Sequence, residues 1–550
     1  MSLHPQSIQP IPPLTREVAH QAFPQGNPYM TLRDELGIFY NDLDFAELYA
    51  TEGQPALRPW RLVLVCVMQY MSDLSDRGAV AAVAARIDWK YALGLELSDS
   101  GFDASVLSLF RSRLLKGGKE KLVLDKLLER CQQLNLIKAR GQARTDSTHI
   151  LASIRNLNRL ECVGETLRAA LNALAVVAPD WLSSVIEDDW FERYSKPVED
   201  SRLPKGTEAR NLMAETIGRD GLKILEELYD HPDSPRWLRE VPAVETLRMT
   251  WVHQYWVNNG QLHWRSHQDL PPAGMRSNSP YDPEARYSKK RHTTWLGYKV
   301  HLSETCEKNQ VHLITNVKTT EAHLADVDQI ESIHQSLAQK ELLPKEHLVD
   351  TGYVDGTLLV ESKQQYGLDL VGPVRENVSW QSKEPDAYDL SRFKINWKTQ
   401  QATCPQGVKS TKKWTVHQDQ WDNTVIGIKF PRQACRECQF RHLCTRSRTE
   451  PRELTIRPQQ EYLAILKRRQ QQQTKKWSKQ YNRRAGVEGT ISQGVRALGL
   501  RNCRYVGLEK VHLQHIFTAT AMNVFRLFAW FEGVPLSQTR VSSFAKLAPG

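Results

Sequence analysis

At 550 residues the chain is too long for one core of ordinary size, and at roughly 100–200 residues per domain it should fold as three or four units. Its 40% hydrophobic, 25% charged and 8% aromatic residues exclude a collagen, a wholly disordered chain and a disulfide-dense miniprotein. The formal charge of +10 is unevenly spread: from Ser391 onward 29 Lys and Arg stand against 9 Asp and Glu (net +20), whereas the preceding part carries 44 against 54 (net −10).

That division fits a basic, phosphate-neutralising face beside carboxylates that hold cations; a solvated basic surface is the plainer alternative. Along the chain, residues 1–30 are rich in Pro and Gln and read as a flexible leader without the apolar centre of a signal peptide. Residues 31–140 carry apolar positions at helical spacing, among them Leu62, Val65 and Cys66, then Val80, Val83 and Ile87, then Val106, Phe110 and Leu114. They predict a helical domain with a break at Gly117-Gly118. ARTDSTHILAS, within 141–155, is a strand candidate, and 156–280 return to helical spacing as a mostly helical insertion.

In 281–375 strands dominate. GYKVHLSET (297–305) and VHLITNVKT (311–319) form a predicted hairpin, followed by a helix through Leu324 and Ile333, the strand HLVDTG, a helix over about 356–366 and the strand LDLVGPV. The order describes a mixed α/β core. Residues 376–460 interrupt it with a basic, cysteine-containing stretch. Residues 461–535 supply two helices, from about Gln460 to Glu488 and from His512 to Phe531, and 536–550 form a tail. The longest apolar run, Leu62 to Met68, is far short of a membrane span, so a cytoplasmic protein is expected.

Three carboxylates stand out. Asp146 lies in a strand candidate, and Asp350 follows the apolar Leu348-Val349 just before Thr-Gly, where an α/β sheet presents ligands at its carboxyl edge. Either could instead cap a helix. Glu488 sits in YNRRAGVEGT, where Tyr481, Arg484 and Glu488 at i, i+3 and i+7 share a helix face. The plainer reading is a surface glutamate paired with Arg484 at i, i+4.

Of the nine cysteines, Cys404, Cys435, Cys438 and Cys444 form C-x30-C-x2-C-x5-C. An odd number of widely spread cysteines argues against a secreted disulfide framework. The C-x2-C step can grip one tetrahedral zinc from a tight turn, with a structural role; the alternative is four reduced thiols in a basic loop. His149, His301 and His323 lie near core strands, where packing is the ordinary role of a histidine.

Taken together, TDST, VDTGY and Y-x2-R-x3-E, each in its structural setting, resemble the DDE transposases of bacterial insertion sequences, whose catalytic core has the ribonuclease-H-like fold. The branch most similar is that of insertion sequence 1182. PWRLVLVCVMQYMSDLSDR and GFDASVLSLFRSRL resemble that group's amino-terminal domain, YDPEAR and WLGYKVHL its entry to the core, and RYVGLEKVHLQHIFTATAMNVFRL its ending.

The resemblance implies an all-α, DNA-binding amino-terminal domain ahead of a ribonuclease-H-like mixed sheet with helical insertions. It implies a triad of Asp146, Asp350 and Glu488 holding Mg²⁺ or Mn²⁺ for cleavage and strand transfer by two cations. Tyr481 and Arg484 would contact DNA, with Lys475, Lys476, Arg483, Arg496 and Arg501 completing the DNA-binding set. The pattern departs where a Lys is expected seven residues after Glu488: Val495 stands there, and Arg496 beside it or Lys510 would supply the charge. The implied partners are terminal inverted repeats, target DNA and a second copy of the chain, in a nucleoid-associated protein. Two readings stay open beside it: a decayed or domesticated DNA-binding protein, and a nuclease of the same fold that cuts without joining.

Overall fold

The computed structural model describes residues 1–535 and 547; apart from Leu547, the predicted tail lies outside the described residues. Its centre is a curled mixed sheet of six strands: β1 (Gln142–Leu151), β2 (Arg286–Lys290), β3 (Thr293–Thr305), β4 (Ile314–Glu321), β5 (Glu346–Val349) and β6 (Asp369–Val371). β3 pairs antiparallel with β1 along one side and with β2 and then β4 along the other, while β5 runs parallel to both β1 and β6. The predicted hairpin is β3–β4, and its register shifts by a bulge between Ser303 and Glu304.

Seven helices precede the sheet, beginning with Pro13–Ala22 and Pro28–Glu35, so the leader is not the unstructured segment its prolines suggest. Pro13 and Pro28 stand in first turns, where a missing N–H costs nothing, and Asn27 caps the second helix by accepting from Tyr29 and Met30. Ile11, Ala19, Met30 and Tyr91 pack into a small cluster that ties this segment down.

The helix Pro59–Met71 buries every residue but Arg61. It packs against the long helix Leu508–Phe531 near the other end of the chain, with Tyr70 stacked on Phe517 at 5.5 Å. One apolar core therefore runs from Tyr29 through these helices into β3, β4 and Leu527. Residues 31–140 are helical as predicted, but they share this core rather than closing one of their own.

The insertion at 156–280 does have a separate core, in which Leu167, Leu174, Ile217, Ile224, Leu247 and Trp251 pack between its helices. A second separate core, built on Phe393, Ile428, Phe430, Leu454 and Ile456, holds the small strands of the cysteine-containing stretch.

The helix expected from Gln460 to Glu488 is broken. It resolves into Gln459–Gln472, Lys475–Tyr481, a 3₁₀ turn at Asn482–Ala485 and a new helix Gly486–Leu498. Thr474 caps the second piece through Trp477 N–H, and at the 3₁₀ turn Arg144 of β1 donates to the Arg483 carbonyl at 2.7 Å. The break follows from an anchor to the sheet that periodicity does not register.

Candidate active site

In the parallel pair of β1 and β5 the register runs Gln142 opposite Glu346 to Thr145 opposite Val349. The residues that follow this last pair are Asp146, still within β1, and Asp350, which follows the end of β5, so the two carboxylates come from neighbouring parallel segments. Asp350 also accepts from Thr351 N–H at 2.7 Å and caps the short turn that follows, so a capping role does not keep it from the cluster.

Glu488 comes to this edge from the first turn of the helix Gly486–Leu498. Arg484, in the preceding 3₁₀ turn, joins the three. Its guanidinium donates to Asp146 at 2.5 Å, stands 3.4 Å from Glu488 and lies 3.9 Å from Asp350. Asp146 and Arg484 are largely enclosed, whereas Glu488 is 67% exposed. Burial pushes the Asp146 carboxyl above the usual aspartate range, partly offset by Arg484 and by the Ser147 N–H it accepts. Tyr481 stacks on Trp477 with ring centres 4.7 Å apart, and burial pushes its phenol up to about 12.

Glu488 and Asp146 line an open cleft of about 430 Å³, together with Arg496 and Arg501. Arg501 is fixed to β1 by donating to Thr148 at 3.0 Å. Arg496 is exposed, while Val495 packs against the main core. The cleft thus receives its cation from the position beside the one where a lysine is expected, and Lys510 stands exposed in the first turn of the long helix. Arg483 donates to the Gln142 side chain, and Lys475 and Lys476 are exposed on the preceding helix.

Among the described residues, no three His, Cys, Asp or Glu side chains are arranged to hold a metal ion as they stand. The cation shared by the three carboxylates is Arg484. The donor set itself, carboxylate oxygens from the middle of β1, the end of β5 and a helix, is that of a hard divalent cation such as Mg²⁺.

Residues 403–528 match the family described as "Transposase DDE domain", and residues 17–113 match "Transposase domain (DUF772)". Both support an insertion-sequence transposase. The first match covers Tyr481, Arg484 and Glu488 together with the four clustered cysteines, and stops short of Asp146 and Asp350; the second takes in half of the predicted leader. No curated protein and no solved structure matches the chain.

What sequence reasoning missed is the anchor beneath the site. Glu304 of β3 is fully buried and holds Arg144 at 2.6 Å, Arg526 at 2.7 Å and the Thr490 hydroxyl at 2.6 Å. Burial pushes the Glu304 carboxyl up, but Arg526, Arg144 and Thr490 outweigh it and hold it below the usual glutamate range. Arg144 lies on the same face of β1 as Asp146, and Thr490 is on the Glu488 helix. The cluster therefore fixes the helix Gly486–Leu498 to the strand that carries Asp146. A further carboxylate, Asp326, accepts from Ser147 at 3.2 Å and pairs with Lys299 at 2.9 Å beside β1. The signals available were Arg144 two residues before Asp146, and Gly486, where a Cβ would lie 2.0 Å from Arg144.

Proposed function

We propose that this protein is a DDE transposase of the insertion sequence 1182 branch, cleaving insertion-sequence ends and joining them to target DNA. The observation that carries the reading is the convergence of Asp146, Asp350 and Glu488 on the single guanidinium of Arg484. A ribonuclease-H-like core is supported by the strand order and directions: an antiparallel β4–β3–β1 unit continued by parallel β5 and β6, with one aspartate in the middle of β1 and the other directly after the neighbouring β5.

Asp146, Asp350 and Glu488 would hold Mg²⁺ or Mn²⁺, whose charge stabilises the attacking and leaving oxygens of a phosphodiester. The chain's own residues do the rest. Arg484 partly offsets the charge of the three carboxylates when no DNA is bound and, with Tyr481, faces the phosphates of the transposon end. Arg496 and Arg501 hold the backbone along the cleft, and the exposed Lys475, Lys476 and Arg483 extend that surface. The amino-terminal helices, bearing the second family match, supply further DNA contacts. Holding two ends together calls for a homodimer on DNA. No helix among the described residues is long and apolar enough to cross a membrane.

The test is incubation with Mg²⁺ and DNA carrying the terminal repeats that flank the gene. Excised and joined products are expected from the natural protein. Replacing any one of Asp146, Asp350 or Glu488 by Ala should remove several kcal/mol of charge stabilisation, a loss of about 100-fold or more, with end binding kept. Full cleavage by any one variant removes that residue from the triad, and nicking without joining favours a plain nuclease.

A further inference from the structure

The nine cysteines divide into two populations. Cys66, Cys131, Cys162, Cys306 and Cys503 are each buried, as free cysteines in a folded interior ordinarily are. Cys404, Cys435, Cys438 and Cys444 are only half-buried, and all four line one small cavity. They arrive there from three separate segments, and all nine are free thiols with no disulfide among them.

The local backbone explains how they are presented. Cys404 opens a tight turn: its carbonyl accepts from Gly407, which holds φ +79°, and its N–H donates to Val408 at 2.9 Å. The Cys438 carbonyl accepts from Arg441 at 3.1 Å in a second turn. Cys435 and Cys444 lie in helices of only five and four residues, Arg432–Arg436 and Arg441–Cys444. Neither short helix buries a single residue, and a helix that short does not persist in water on its own. The core beneath is small, six buried hydrophobic residues with partly buried ones packed around them, Cys404, Cys435 and Cys444 among these. A module of this size ordinarily needs a cross-link to be stable, and none is visible in its apolar packing.

We propose that Cys404, Cys435, Cys438 and Cys444 bind one structural zinc ion as thiolates, which pins the two short helices and the Cys404 turn to each other. The thiols do not stand at closed-site spacing, so binding draws their side chains inward around the ion. Four sulfur ligands in C-x2-C and flanking turns are the donor set of a closed tetrahedral zinc site, with no open position for chemistry. Thiol protons leave to solvent as the ion enters, so assembly is favoured by rising pH. Nearby Arg441 donates to the carbonyls of Cys435, Ser447 and Glu450, which places a guanidinium beside the negative charge that four thiolates and one Zn²⁺ retain. This inference is independent of the DDE assignment.

The experiment is metal analysis of the full-length protein purified without chelator, followed by exchange of zinc for cobalt. About one zinc per chain and the intense spectrum of a tetrahedral cobalt thiolate site are expected. Both should be lost in Cys435→Ser and Cys438→Ser and kept in Cys162→Ala, and chelation should open the 376–460 stretch to protease. Should the serine variants fail to fold, the zinc content and cobalt spectrum of the natural protein still decide. Zinc below about 0.2 per chain, four freely titrating thiols in the purified protein, or zinc retained in both serine variants would overturn the proposal.

Discussion

Glu304 carries its charge at zero exposure because three donors, Arg144, Arg526 and Thr490, reach it from three different elements. A buried ion pair is weak evidence for net stability, but removing one partner strands the others, at about 3–5 kcal/mol. Glu304→Gln leaves two guanidiniums facing a neutral amide, and urea unfolding should register a loss in that range. The pH dependence has a defined sign. A carboxyl held below its unfolded value contributes stability that is complete above the ordinary glutamate pKa and is lost only as pH falls through the depressed folded value. The gap between Glu304→Gln and the natural protein should therefore be constant from about pH 8 to 5 and shrink only in stronger acid. A gap that closes by pH 6 would mean that Glu304 is protonated in the fold.

At the scale of elements, the position of the Glu488 helix rests on how closely its first residue approaches β1. A Cβ on Gly486 would fall 2.0 Å from Arg144 Nη1, and Arg144 is held by Glu304 and by the Arg483 carbonyl, so it cannot withdraw. Gly486→Ala should cost about 1–3 kcal/mol by overpacking and lower cleavage by displacing Glu488. Gly489 has nothing within 4 Å of its Cβ position, so Gly489→Ala, one turn on, should stabilise the helix by up to about 1 kcal/mol. Thermal unfolding of the two variants checks the pair; equal shifts would refute the anchor. The same element shows what the sequence could reveal. Asp350 and Glu488 were legible because a polar residue at the end of an apolar run, or beside a spaced Tyr and Arg, breaks a local pattern, and Asp146 because it stands in a short strand candidate whose motif matches theirs. The β3–β4 hairpin and the strand before Asp350 were legible by alternation and β-branching. The break at Asn482–Ala485 was not, since its cause is Arg144, 339 residues away in sequence. Nor was Glu304, which sits in the predicted strand GYKVHLSET and reads there as an ordinary strand-end charge. The prolines of residues 1–30 misled for a related reason: their effect depends on whether they open a helix or interrupt one.

Across the whole molecule, four histidines are sealed in the interior with zero exposure: His301, His334, His347 and His515. Each is tied to neutral partners. His301 bonds Tyr353 and Thr320, His347 lies between Thr145 and His334, and His515 bonds Thr319. Burial lowers His301 and His334 to about 4 and His515 to about 3, and holds His347 well below its usual value. A histidine kept neutral in the fold but free to protonate when unfolded gives the unfolded state the larger proton count once pH drops below about 6.5. Stability then falls with falling pH, by up to about 1.4 kcal/mol per pH unit for each such group. Several such groups acting together would remove a substantial share of the about 5–15 kcal/mol that holds a folded protein together. These residues lie on β3, β5, the helix packed behind them and the long carboxyl-terminal helix, so their protonation acts on the shared core rather than on a peripheral module. The midpoint of thermal unfolding at fixed ionic strength should be level from pH 8 to 7 and fall steeply from about 6.5 toward 5. His515→Gln should make the slope shallower, since it removes one of the imidazoles held neutral in the fold. A midpoint that stays level to pH 5 would mean that these imidazoles take up protons inside the fold, which their hydroxyl and imidazole partners give them no charge to support.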